Sequence, residues 1–181
     1  MPEIVFVGTG DAFNSGGRRN SAILVRADGR TILLDCGPTT LEGLKELGID
    51  PLEIDAVALS HFHGDHIAGV PFLLLDYLYQ HERQTPLEIL GPPGVADCVG
   101  SLTRAYGYHL ERERRYALRF QEFAIDKPIE VADFRVTPMP AVHQEHTCPH
   151  MLRVDTPRRS LVFSGDTGWH DTLPEKVGDV D

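Results

Sequence analysis

The chain has 181 residues, with 27 acidic side chains against 17 Lys and Arg, a formal net charge of −10 and 41% hydrophobic content. That length suits a single domain over residues 1–181 whose core needs no disulfide staples, and the cysteines, Cys36, Cys98 and Cys148, stand in unlike contexts that speak against an oxidised framework. The acidic balance disfavours a general basic surface for long nucleic acid, no apolar run approaches the ~20 residues of a bilayer span, and Met1-Pro2-Glu3-Ile4 lacks the basic start of a secretory signal, so a cytoplasmic mixed α/β protein is expected.

Ile4 to Val7 reads as a β-rich run stopped by Gly8-Thr9-Gly10. Residues 22–27 and 31–34 flank Asp28-Gly29, a pair that tolerates positive φ, and so predict a tight hairpin. Thr39 to Glu42 offers a capping box, Leu41, Leu44 and Leu47 recur at helical spacing, and Gly48 stops the helix. Residues 56–59 form a short apolar strand that runs directly into Ser60-His61. Residues 68–80 are too apolar for a surface helix and predict a packed one. A strand over 86–90 precedes Gly91-Pro92-Pro93, and Val95, Val99, Leu102 and Tyr106 share one face of the next helix. Residues 111–115 mix both signs of charge and predict a solvated loop or helix end. The rest reads as strands, over 117–124, 129–132, 134–138, 151–154 and 160–164, with one short helix near 171–177. A sheet with one apolar face needs a second layer. Either the early helices cover the late strands, or something is missing after Asp181.

One segment dominates the chemistry. Ser60-His61-Phe62-His63-Gly64-Asp65-His66 gathers three imidazoles and a carboxylate at the end of a short strand. In extended chain His61 and His63 point to the same side, and Gly64 permits a turn that brings Asp65 and His66 back from another direction. Imidazole nitrogen and carboxylate oxygen are ligands that divalent zinc, iron or manganese accept. The bland alternative is a chance cluster of exposed histidines, and four ligand-type residues in this order count against it. His143 ends a strand, where a fixed ligand is expected; His146 and His150 follow, and His150 reads as lining or core. Ser164-Gly165-Asp166-Thr167-Gly168 ends a later strand in a carboxylate between glycines, able to approach two cations closely. Arg18 and Arg19 could meet an anionic substrate or be ordinary solvated charges. Cys36 reads as a small core residue, Trp169 and His170 as pocket lining, and His81 and His109 as surface residues.

His61-Phe62-His63-Gly64-Asp65-His66 resembles the HxHxDH signature of the metallo-β-lactamase fold superfamily, with His143 and Ser164 to Gly168 in the order of its next two metal motifs. Gly8-Thr9-Gly10-Asp11-Ala12-Phe13, Leu34-Asp35-Cys36-Gly37 and Leu90-Gly91-Pro92-Pro93-Gly94 resemble the ribonuclease Z-like branch, and within it the short metal-dependent hydrolases of unassigned substrate. The resemblance implies an α/β fold, the αββα four-layer sandwich, with its final strands and helices lacking here. It implies His61, His63 and His143 on a first metal, Asp65 and His66 on a second, and Asp166 bridging both. Zinc is the implied cofactor, two ions per complete site, with manganese or iron as alternatives. One more histidine is expected on the second metal, and none follows His170.

The implied chemistry is hydrolysis by a hydroxide shared between the cations, with Asp65 as the catalytic residue that orients it. A small-molecule or short phosphodiester substrate stands first, an ester second, and a homodimer is open. A tRNA 3′-processing endonuclease of the ribonuclease Z type is one alternative. Against it, residues 156–160 hold no Gly/Pro-rich arm of the kind many such enzymes insert there. An iron-dependent redox member of the fold and an inactive fragment are the others.

Overall fold

The computed structural model describes residues 1–108, 114–171, 173–178 and 180. Its first sheet runs in chain order: β1 (Glu3–Gly8), β2 (Ala22–Ala27), β3 (Arg30–Leu34), β4 (Ala56–Ala58), β5 (Leu87–Gly91) and β6 (Leu118–Glu122). β1 to β3 pair antiparallel, and β3 to β6 pair parallel. The turn between β2 and β3 takes φ 49° at Asp28 and 84° at Gly29, the positive pair that a two-residue hairpin with the right twist requires.

Both faces of this sheet are buried, which is why β3, β4 and β5 are almost uninterrupted aliphatic runs. Leu24, Leu33, Val57 and Ile89 face the helices α1 (Thr40–Glu46), α3 (Val70–Tyr79) and α4 (Val95–Ala105), meeting Leu44, Leu73, Tyr77 and Val99. Their neighbours Val25, Ile32, Leu34, Ala58 and Leu90 point the other way. There they meet Phe134, Val136, Leu152 and Val154 of an antiparallel second sheet, ordered β10-β9-β8-β7. Its strands are β7 (Ile129–Val131), β8 (Phe134–Pro140), β9 (His150–Asp155) and β10 (Ser160–Phe163). Each such buried side chain contributes about 1.5–3 kcal/mol of transfer free energy. Between β4 and α3 lies a single turn, α2 (Gly64–Ile67). Among the described residues the only α-helix after β7 is α5 (Leu173–Val177), and every residue of β10 is partly exposed. Helices, sheet and sheet thus give three layers of the αββα sandwich.

Three local expectations need correction. The capping box does not form: Thr39 Oγ1 accepts the Asn20 backbone N–H at 2.9 Å and donates to Asn20 Oδ1 at 3.1 Å, so its hydroxyl is already engaged. Tyr106 lies past the end of α4 and stacks on Phe72 at 5.3 Å, while Thr103 takes the buried position. His81 is half-buried, because its Nδ1 lies 2.5 Å from Asp76 Oδ2, a buried carboxylate that Lys45 also approaches at 3.5 Å. Of the expected 111–115 loop, Arg115 pairs with Glu82 at 2.9 Å; residues 111–113, like His109, lie outside the described residues.

Candidate metal centre

The site forms where the ends of the two sheets meet. Directly after β3 comes Asp35, whose φ of 58° turns its carboxylate beneath the 60–66 segment, and whose N–H donates to Ala58 O at 2.9 Å. The next residues clamp α2: Cys36 N–H donates to His66 O at 2.7 Å, and Gly69 N–H to Cys36 O at 2.9 Å. Only glycine serves at two of these positions. A Cβ on Gly69 would run into Gly37 O, and one on Gly37 into Asp65 O. The second sheet is tied on by His150 N–H to Ser60 O (3.0 Å) and Phe62 N–H to Thr147 O (3.0 Å). The segments bearing His143 and Asp166 are joined by Gly168 N–H to Val142 O (2.7 Å) and Val142 N–H to Thr167 Oγ1 (3.0 Å).

This framework brings the six sequence-predicted residues into two adjacent groups. His63 Nδ1 lies 3.0 Å from His61 Nε2 and 3.0 Å from His143 Nε2. With a carboxylate oxygen of Asp166, these atoms all fall within 4.8 Å of one another. The Asp166 carboxylate then divides, Oδ2 at 3.8 Å from His143 Nε2 and Oδ1 at 3.4 Å from His66 Nε2. Asp65 Oδ2 is also 3.4 Å from His66 Nε2. The donor set fits zinc: both separations from His63 Nδ1, 3.0 Å, lie near the ~3.4 Å edge of a tetrahedron with Zn–N of about 2.0–2.1 Å. Asp166 faces both groups, as a bridging carboxylate must.

Burial sorts the ring charges. Removal from water, reinforced by the charge of His66, pushes His61 down to about 3, which leaves it a neutral ring, the form able to bind a metal. Burial acts downward on His66 as well, but hydrogen bonds to Asp166 and Asp35 outweigh it and push that ring up to about 10. The same His66 contact holds Asp166 below the usual carboxylate range.

A cavity of about 640 Å³ opens over His63, Asp65, His143 and Asp166, with Asp11 and Phe13 at its rim. Asp11 shapes that rim. Its Oδ1 accepts N–H groups of Phe13 (3.1 Å) and Ser15 (3.0 Å), its Oδ2 accepts the Ser15 hydroxyl (2.7 Å), and these bonds hold its carboxyl low. Phe13 is left 88% exposed beside the candidate ligands.

Arg18, Arg19, Trp169 and His170 do not line this cavity. Arg19 pairs with Glu46, and Trp169 faces solvent. His150 is buried, its Nδ1 donating to Cys148 O at 2.8 Å, and the His146 ring stands 6.3 Å from that of His63. Cys36 is fully buried and burial pushes its thiol up to about 12, which rules it out as a nucleophile.

Two residues of the site escaped assignment from sequence. Asp35 is wholly buried, with His66 Nδ1 2.5 Å from its Oδ2, and Ser60 connects it to His61. The available signal was a carboxylate at the end of an aliphatic strand, where burial demands donors around it.

Comparisons with known proteins agree with this fold. A family model described as "Anti-Pycsar protein Apyc1" matches residues 2–180. The ribonuclease Z of Methanothermobacter thermautotrophicus is 30% identical over 189 residues, covering 99% of this chain and 60% of that relative. The ribonuclease Z of Mycobacterium bovis is 29% identical over 195 residues, 100% of this chain and 68% of the relative. The chain therefore spans about 60–70% of the length of these relatives. Among solved structures, human tRNase Z, short form, superposes with a TM-score of 0.77 at 24% identity, over 98% of this chain and 74% of that one. The metallo-β-lactamase fold protein YhfI from Bacillus subtilis gives 0.74 at 23%, over 94% and 64%. Zn2+-bound PqqB from Methylobacterium extorquens gives 0.63 at 18%, over 90% and 61%.

Proposed function

The chain belongs to the family described as Anti-Pycsar protein Apyc1, within the ribonuclease Z-like branch of the metallo-β-lactamase superfamily, and on that footing we propose that it carries the dinuclear centre of a metal-dependent hydrolase acting on small phosphodiesters. The observation that carries the reading is the divided carboxylate of Asp166, one oxygen toward His143 and the other toward His66. His61, His63 and His143 would hold one cation, Asp65 and His66 the other, with Asp166 common to both. Zinc suits this nitrogen-rich set, and a zinc-bound protein stands among the structural neighbours. Bound cations supply Lewis-acid polarisation and bring the pKa of water from 15.7 towards ~7.

The chain's own residues do the rest. Asp65, 13% exposed at the cavity floor, is placed to orient the attacking water and accept its proton. A cavity of about 640 Å³ suits a small molecule or a short strand end. The free thiols Cys36, Cys98 and Cys148 fit a reducing, cytoplasmic setting. The reading predicts that the protein hydrolyses bis-p-nitrophenyl phosphate, that EDTA abolishes turnover, and that zinc or manganese restores it. Turnover indifferent to chelation would contradict it.

A second reading, tRNA 3′-end cleavage, draws on the ribonuclease Z relatives. The turn joining β9 to β10, residues 156–159, and the net charge of −10 weigh against a tRNA grip on this chain. Cleavage of a tRNA precursor at a rate matching the small diester would favour this reading over the first.

A further inference from the structure

We propose that Ser60 is a positioning residue of this centre: anchored on Asp35, its hydroxyl fixes His61 as the Nδ1–H tautomer and so leaves Nε2 free for metal. This rests on the reading of His61 as a ligand. Asp35 has donors on every side given by the described residues. The Ser60 N–H lies at 2.7 Å from Oδ1; the Ser60 hydroxyl at 3.0 Å, His66 Nδ1 at 2.5 Å and the Ser21 hydroxyl at 3.5 Å surround Oδ2. A carboxylate ringed by donors accepts. The single proton of the Ser60 hydroxyl is therefore directed at Asp35, and its oxygen presents a lone pair elsewhere.

His61 Nδ1 lies 2.9 Å from that oxygen, and the only bond that completes the pattern is Nδ1–H donating to Ser60 Oγ. The opposite arrangement would place a proton on Nε2, aimed at His63 Nδ1 at 3.0 Å, where the cation belongs. Asp35, Ser60 and His61 are all 0% exposed, so bulk water cannot substitute for the hydroxyl. Gly165 closes the same spot: a Cβ there would come within 2.9 Å of both Ser60 Cβ and Oγ, and Gly165 leads directly into Asp166. One buried carboxylate thus serves a ligand in each half of the centre, His66 directly and His61 through Ser60.

The test uses 15N-histidine-labelled, metal-free protein at pH 7, where long-range 1H–15N correlation reads ring tautomers and a His61→Gln variant assigns the signal. Wild type is expected to show His61 as Nδ1–H. Ser60→Ala is expected to populate Nε2–H and to weaken zinc binding, measured by chelator competition, by about 10–100-fold, the usual effect of removing a partner behind a metal ligand. Asp35→Asn should switch the same ring with Ser60 still present, because the amide donates to Ser60 and turns the hydroxyl proton onto His61. A role confined to folding would lower the unfolding temperature of these variants without moving the tautomer. Wild-type His61 found as Nε2–H, or a Ser60→Ala variant with tautomer and zinc affinity unchanged, overturns the proposal. If wild type binds no zinc, the hydrolase reading fails, while the tautomer still decides the role of Ser60.

Discussion

His61, His63 and His143 bring their ring nitrogens into 3.0 Å contacts on buried or half-buried side chains. His66 Nε2 stands 3.4 Å from both Asp65 Oδ2 and Asp166 Oδ1, with the Asp166 side chain 45% exposed. The two halves of the centre are built on different physics. In the histidine half, burial pushes His61 down to about 3, so that ring carries no proton to compete with a cation. The carboxylate half is an ionic cluster in which His66, pushed up to about 10, holds a proton that a cation must displace. A cation would therefore meet an unprotonated His61 in the first half, whereas His66 in the second would have to release its proton.

Removal of His63 attacks the comparison hardest. Its Nδ1 is the one atom in contact with both other rings, so His63→Ala should cost at least about 100-fold in affinity for the first zinc, beyond the 10–100-fold typical of a supporting partner. Chelator competition measures it, and a loss under threefold would show that the cage is not the primary site. The carboxylate half is probed by pH. In metal-free protein the raised pKa of His66 contributes stability that is full below its unfolded value of about 6.5 and lost as pH rises through about 10. Urea midpoints of metal-free protein should fall between pH 7 and pH 10, while zinc binding at the second site tightens over the same range. A flat profile would remove His66 from the ionic cluster. The smallest effect is expected at Gly165, whose φ of 51° and contact with Ser60 make Gly165→Ala destabilising by about 1–3 kcal/mol. Chemical denaturation measures that change; if it were confined to stability, with zinc stoichiometry intact, the two halves would be less tightly coupled than the shared Asp166 implies.

The same contrast separates what the sequence announced from what it did not. The candidate ligands that the structure brings together were legible because they lie in short runs at strand ends, where alternation and a permissive glycine decide direction: His61 and His63 two apart, Gly64 before Asp65 and His66, Gly165 before Asp166. The hairpin at Asp28-Gly29 and the packed helix α3 were legible for equally local reasons. Asp35 and Ser60 were not, since their roles arise from contacts 25 to 31 residues apart that the parallel pairing of β3 with β4 creates. Thr39 and His81 misled for a related reason. A free hydroxyl beside a helix start and a polar ring after a helix end each found a tertiary partner, Asn20 and Asp76, in place of the expected local bond or solvent. Phe13, in the loop that Asp11 holds, belongs with them: the sequence marked the loop, and only the fold set the ring in one cavity with the candidate ligands.

Anomalous diffraction at the zinc edge from zinc-soaked crystals tests the dinuclear centre most directly. Two peaks about 3.5–4 Å apart are predicted, one enclosed by His61, His63 and His143, the other beside Asp65 and His66, with Asp166 between them. Zinc bound elsewhere, or no zinc within reach of the three histidines, would contradict the centre described above.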